Sequence, residues 1–353
     1  MKGEKNMGRR RALQVAAAGM GLGLVGTAQG SRATRKSNAV DVMLNWNANS
    51  TQAGYFVAKR KGFYDEQGVT VTEFVPGQGG TFAAKQVGLG RQGFGLSDAA
   101  SVLTARSKGL PVRSYGTSQQ RSDGVVYTVE KVFGRKLEKP KQLQGKTLAA
   151  PKDSPMTTLT KAVLKRAGVL DSVNFLGVAP EQQTPMLLSG NADAAIAIFD
   201  SPTALRRKGY DASAIRLADY MPTVGRTVIS RPKFAERNPK TVRGFLRATA
   251  KGWAWAANNP KRAMDVMVDA KPSLAQSRKM GVFKIKYTTN NLVTGDNGRW
   301  GWQRPKSWNT VSKALFRTGV VPKTDVRAAW TNDYLDTEYE YIESYEGQVE
   351  SGR

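Results

Sequence analysis

Between residues 40 and 69 an apolar run, VDVMLNW, gives way to a loop of Asn, Ser, Thr and Gln, then to a helical stretch, and then to apolar residues again. Strand, polar loop and helix in that order point to the α/β class and place ligand-binding chemistry at the carboxyl end of a strand. The run has the continuous apolar character of a strand covered on both faces, and Tyr55, Phe56 and Phe63 recur on one side of the helix that follows. In open α/β sheets the crevice beyond the carboxyl ends of the strands is where small ligands sit. The loop offers Asn45, Trp46, Asn47, Asn49, Ser50, Thr51 and Gln52, all able to hydrogen-bond and none charged. A neutral or zwitterionic ligand rich in heteroatoms suits it.

At 353 residues the chain is long enough for two lobes of ordinary domain size. It contains no Cys and no His. Disulfides and thiolate chemistry are excluded, along with the commonest general base and metal ligand and every His-based triad. An enzyme would have to work with carboxylates, Lys and Tyr. Neither a cofactor nor a metal is implied.

Residues 1–30 read as an export signal. A basic head, Arg9-Arg10-Arg11, precedes a Gly/Ala-rich apolar run and a small-x-small ending, Ala28-Gln29-Gly30. The Arg10-Arg11-Ala12-Leu13 pattern fits twin-arginine export, with ordinary secretion and an uncleaved membrane anchor as alternatives. Residues 31–38 read as a basic linker. The expected location is the periplasm or the outer face of the cell, with the membrane touched only through a transporter or an uncleaved signal.

The remainder divides into a first lobe, residues 39–124 and 230–345, and a second lobe, residues 125–229. Strands are expected at 40–46, 69–75, 94–97, 111–115, 125–129 and 194–199, and a turn into another strand at 143–150. Helices are expected at 51–67, 81–88, 99–108, 156–167, 239–258, 260–268, 273–280 and 305–318. The chain returns to the first lobe near 224–230.

Several motifs, taken in order, resemble one family. Trp46 with Asn49, Gly54, Tyr55, Phe56, Ala58, Lys61-Gly62-Phe63-Tyr64 and Gly68-Val69-Thr70-Val71 is similar to the opening of solute-binding proteins for thiamine-precursor pyrimidines and the related sulfonate and taurine binders. Residues 96–114, 143–148, 187–196 and Trp330-Thr331-Asn332-Asp333-Tyr334-Leu335 fall where that family has its other markers. The resemblance covers residues 40–335. It implies a two-lobed periplasmic-binding-protein fold of type II, each lobe a mixed sheet flanked by helices, closing on a ligand and delivering it to an ABC importer permease. It also carries a departure. Fungal relatives of this fold are single-turnover synthases that make the pyrimidine from pyridoxal phosphate and a histidine, with a cysteine-rich segment required. Here Gln52 stands at the corresponding position, which leaves recognition without reaction.

Each candidate contact has a plainer alternative. Trp46 fits stacking on a planar heterocycle or core packing. Asn49 and Gln52 suit ring nitrogens or an amine, or cap their own loop. Gly79 and Gly80, with Thr81, place helix amides near an anion or carbonyl, or form a tight turn. Ser97 and Asp98 read as ligand contacts or an N-cap. In the second lobe Met156 and Thr157 open a helix facing the cleft. Phe199 and Asp200 match the aromatic-acidic position that contacts the amino group in the pyrimidine binders, and an amino group would satisfy the Asp200 charge. Capping the helix at Pro202 is the alternative. Tyr220 and Tyr115 are lesser candidates. The other tryptophans, Trp253, Trp255, Trp300, Trp302 and Trp308, read as core.

A formal net charge of +26 invites a polyanion-binding reading. Its distribution argues against a specific nucleic-acid site, because basic residues are scattered along the helices with no aromatic-interleaved cluster. Lys141, Lys240, Lys261 and Lys306 even follow prolines in first turns, where the macrodipole favours acids. Three readings stand: a receptor for a small heterocycle, foremost a thiamine-precursor aminopyrimidine; a receptor for alkyl sulfonates or another organic anion; and a pyrimidine-precursor synthase, disfavoured by the missing His and Cys.

Overall fold

The computed structural model describes residues 38–152, 154–291, 300–317, 319 and 321–335. The expected export signal and all but the last residue of the linker lie outside them. So does the chain beyond 335.

Among the described residues ten strands form two sheets. β1 (Ala39–Met43), β2 (Thr70–Val75), β3 (Phe94–Asp98), β4 (Arg113–Thr117) and β10 (Arg226–Ser230) make the first, in the order β2-β1-β3-β10-β4. β5 (Gly124–Val129), β6 (Thr147–Pro151), β7 (Asn174–Val178), β8 (Ala194–Ile198) and β9 (Ala212–Arg216) make the second, in the order β7-β6-β8-β5-β9. In each, a block of three parallel strands is joined to the fifth strand by one antiparallel strand: β10 between β3 and β4, β5 between β8 and β9. The antiparallel strand of each sheet is also the one by which the chain enters from the other lobe.

That arrangement corrects the expected boundaries. Residues 226–229, assigned to the second lobe, belong to β10 in the first sheet, and Gly124 opens β5 in the second. The five residues of β10 are all buried, pairing Thr227 with Ser97 and Val228 with Gly116. The two crossovers, residues 118–123 and 221–225, lie side by side. Amides of Ser118 and Gln119 donate to the Arg226 carbonyl at 2.9 and 3.0 Å, and the Gly225 amide donates to the Gln119 carbonyl at 3.0 Å.

The long helix Pro239–Asn258 covers the first sheet with Val242, Phe245, Leu246 and Trp253. Phe245 stacks between Phe94 at 4.2 Å and Tyr64 at 5.0 Å. Each such aromatic contributes about 1.5–3 kcal/mol by burial alone. Val126, Leu148, Leu164 and Ile196 centre the second lobe's core.

Two helices differ from expectation. The segment 51–67 is split into a 3-10 turn, Ser50–Gln52, and helices Ala53–Arg60 and Phe63–Glu66, because Gly62 between them takes a left-handed conformation, φ 75°. Residues expected as a helix at 273–280 instead form the 3-10 turn Pro272–Ser277, followed by the longer helix Arg278–Asn291. That helix buries Ile285 in the first lobe's core and packs Phe283 and Tyr287 on the second lobe's. With apolar residues on two faces it shows no single stripe in the sequence.

Candidate ligand-binding cleft

Between the lobes lies a cleft of about 900 Å³. It sits at the carboxyl ends of β3, β6 and β8 and beside the loop after β1, with the crossovers as its floor. Helices Gly80–Gly88, Pro155–Arg166 and Asp200–Arg207 turn their first residues towards it. Trp46, Asn49, Gly79, Gly80, Ser97, Asp98, Met156 and Asp200 all line it. Gln52, Thr157, Phe199, Tyr220 and Tyr115 do not.

On the first-lobe wall the polar side chains are engaged within their own loops. Asn49 Oδ1 accepts from the Thr51 amide at 3.0 Å and the Thr51 hydroxyl at 2.7 Å, while its Nδ2 donates to the Asn47 carbonyl. Gln52, fully buried, accepts from the Asn49 amide at 3.1 Å and donates to Asn45 Oδ1 at 2.9 Å. The two form a capping box around the 3-10 turn. Gln52 therefore braces the loop from behind and does not reach the cleft. Ser97 Oγ donates to the Gly80 carbonyl at 2.9 Å. Asp98 caps helix Ala99–Ser107, accepting from the Ser101 amide at 2.9 Å and the Ser101 hydroxyl at 2.7 Å. Burial pushes its carboxyl above the ordinary value, although the Ser101 bonds oppose the shift.

Gly79 and Gly80 are required by this packing. Gly79 has φ 114°, a conformation that side chains resist, and a Cβ on Gly80 would come 2.2 Å from Asp98 Oδ2. Trp46, 38% exposed, stands at the rim with its ring available.

The second-lobe wall departs further from expectation. Thr157 Oγ1 donates to the Pro151 carbonyl at 2.8 Å, pinning the helix Pro155–Arg166 to β6. Tyr220 donates to the Glu138 carbonyl at 3.0 Å within its own lobe. Phe199 is buried and stacks on Tyr287 at 4.0 Å, so it joins the lobes instead of meeting a ligand. Tyr115 is also buried, edge-on to Tyr334 at 5.1 Å. The helix begins at Asp200, two residues before Pro202, so Asp200 is its first residue and not its cap. Its charge is met by Lys284, whose Nζ lies 2.5 Å from Oδ2. The expected need for a cationic partner is thus already filled within the chain.

Five residues were not foreseen. Arg226 donates to the Thr51 carbonyl at 2.8 Å and lies 3.7 Å from Asp123, tying the floor to the opening loop. Burial raises the Asp123 carboxyl; Arg226 opposes this, Asp200 adds to it and Lys284 opposes it. Gln119 on the crossover and Gln183 at the start of helix Gln183–Leu188 line the cleft and are buried, and the Nε2 of each makes no hydrogen bond among the described residues. Asp200 Oδ1 is the third such atom. Nothing in the local sequence marks Gln119, Gln183 or Lys284, which come from segments far apart in the chain.

Residues 49–263 match the model of the family described as NMT1/THI5 like, more than half of the chain. The chain belongs to this family. Among similar relatives, the formylaminopyrimidine-binding protein of Halalkalibacterium halodurans is 27% identical over 77% of this chain and 83% of its own. The 4-amino-5-hydroxymethyl-2-methylpyrimidine phosphate synthase of Legionella pneumophila is 23% identical over 85% and 93%. The riboflavin-binding protein RibY of Chloroflexus aurantiacus is 24% identical over 84% and 86%. Of solved structures, the periplasmic aliphatic sulphonate binding protein SsuA of Escherichia coli superposes with a TM-score of 0.70 at 14% identity, covering 86% of this chain and 95% of that one. That likeness fixes the architecture as the two-lobed periplasmic-binding-protein fold. No helix among the described residues is long and apolar enough to cross a membrane.

Proposed function

We propose that the chain is an exported solute receptor that closes on a small uncharged nitrogen heterocycle of the aminopyrimidine class and presents it to an ABC importer permease. One observation carries this reading: Gln119 Nε2, Gln183 Nε2 and Asp200 Oδ1 are buried around a single cleft with no hydrogen-bond partner among the described residues. Buried polar atoms are normally paired, and each unpaired one costs about 1–3 kcal/mol. Two amide donors and a carboxylate acceptor complement ring nitrogens and an exocyclic amine. Trp46 at the rim adds a surface for stacking. The formylaminopyrimidine binder among the relatives supports the same class.

Closure follows from this distribution. Gln183 and Asp200 belong to the second lobe, Gln119 to the crossover and Trp46 to the first lobe, so only the closed state offers all four contacts at once. A ligand drives closure to the extent that it prefers that state. Catalysis is left out of the proposal: synthases occur among the relatives, but this chain has no His or Cys to serve as reactant or ligand. Export to the periplasmic or outer face accords with the receptor fold and the twin-arginine-like leader.

A second reading, a sulfonate or other organic-anion receptor, is favoured by the opening turn of helix Gly80–Gly88 facing the cleft. A thermal-shift screen separates the two, since a ligand at 100 Kd stabilises by about 2.7 kcal/mol. The probes are formylaminopyrimidine, simple aminopyrimidines, riboflavin, pyridoxal and alkyl sulfonates. Stabilisation by a pyrimidine is expected; a response to sulfonates alone overturns the first reading.

A further inference from the structure

Asp200 and Lys284 meet across the lobes under unusual constraint. Lys284 lies on helix Arg278–Asn291, between Phe283 and Tyr287, which pack on the second lobe, and Ile285, which is buried in the first. Stacking of Phe199 on Tyr287 holds the start of helix Asp200–Arg207 against the same face. The two charged side chains are only 15% and 21% exposed, so packing fixes their contact. Of the two Asp200 oxygens, Oδ2 takes the ammonium and Oδ1 remains buried without a hydrogen bond. On the cleft floor Arg226 stands beside Asp123 in the same manner. Asp123 and Asp200 are thus each paired with a cation from within the chain, the third cleft carboxylate, Asp98, is tied up by the Ser101 amide and hydroxyl, and what Asp200 still offers is an acceptor oxygen without a net charge.

We propose that Lys284 sets the charge of the ligand: by neutralising Asp200 it makes the cleft accept uncharged N–H donors at Oδ1 and exclude cations. This rests on the cleft being the ligand site proposed above. A neutral amine needs only the open oxygen. A cation must either displace the ammonium or sit beside it against like-charge repulsion, in surroundings that screen charge poorly. Removing the Lys284 charge converts the same carboxylate into a cation site.

Titration calorimetry of the full chain at pH 7 tests this, comparing wild type with Lys284→Met and Lys284→Gln after circular dichroism has shown each to be folded. Two probes are used: formylaminopyrimidine, which is neutral, and benzamidinium, a planar cation unrelated to pyrimidines. Wild type is expected to ignore benzamidinium, and Lys284→Met to bind it at least roughly tenfold more tightly, the gain of one charge-assisted hydrogen bond. Adding Asp200→Asn to Lys284→Met should abolish the gain. Equal benzamidinium affinity in wild type and both Lys284 variants overturns the proposal. Failure of formylaminopyrimidine to bind wild type would strike the aminopyrimidine reading instead, and the benzamidinium comparison would still decide the role of Lys284.

Discussion

On the first-lobe wall the side chains of Asn49, Ser97 and Asp98 are bonded within the lobe, with Gln52 bracing the loop from behind, whereas across the cleft Gln183 and Asp200 each keep a buried atom with no hydrogen-bond partner among the described residues. The same polar residue types thus perform different work on the two sides. In the first lobe they hold a loop and two helix starts rigid, and a ligand finds there a shaped surface with Trp46 at its edge. Directional recognition is left to the second lobe and the crossover.

The largest effect is expected where the two regions meet. Arg226→Met removes the cation beside Asp123 and the bond to the Thr51 carbonyl, leaving a buried carboxylate uncompensated. Such losses cost about 3 kcal/mol, read as a lower denaturant midpoint in the ligand-free protein. Gln183→Leu should behave in the opposite sense. Its buried Nε2 has no hydrogen-bond partner to lose among the described residues, so stability is expected to hold or rise slightly, while pyrimidine affinity falls by roughly 1 kcal/mol, about fivefold. Asn49→Ala then completes the contrast: about 1 kcal/mol of stability lost with the cap, and affinity changed by less than that of Gln183→Leu. If Asn49→Ala abolished binding at unchanged stability, the contrast between the walls would be broken.

The smallest effect is a slope with pH. Burial raises the Asp98 carboxyl above its ordinary 3.8, so the folded chain holds that proton to higher pH than the unfolded chain does. Stability associated with Asp98 is therefore full below pH 3.8 and declines as pH rises through the folded-state value. Asp98→Asn keeps an N-cap and removes this contribution. Stability measured from pH 3.5 upwards should decline less steeply in the variant, the raised Asp123 supplying what slope remains.

What the sequence revealed follows the range of the interactions involved. Helix Pro239–Asn258 has the expected bounds because proline sets its start and one apolar stripe marks its buried face. The loop at 45–52 and the turn at Gly79-Gly80 are likewise local features, and they line or brace the cleft as strand-end loops should. A motif marks Asp200, but nothing marks its partner, since Lys284 lies on a helix with no amphipathic period and 84 positions exceed the reach of any local rule. Gln119 and Gln183 carry no signal either. A buried amide without a partner is a property of packing, visible only when both lobes are in place. Phe199 follows the same rule: its ring stacks on Tyr287, a contact that exists only when the lobes pack together.

Calorimetric titration of formylaminopyrimidine into wild type and Asp200→Ala tests the central claim most directly. The expected result is saturable one-to-one binding by wild type and a loss of roughly fivefold or more in the variant, the value of about one hydrogen bond to an acceptor already neutralised by Lys284. Undiminished binding by Asp200→Ala would contradict the assignment of recognition to the second-lobe wall.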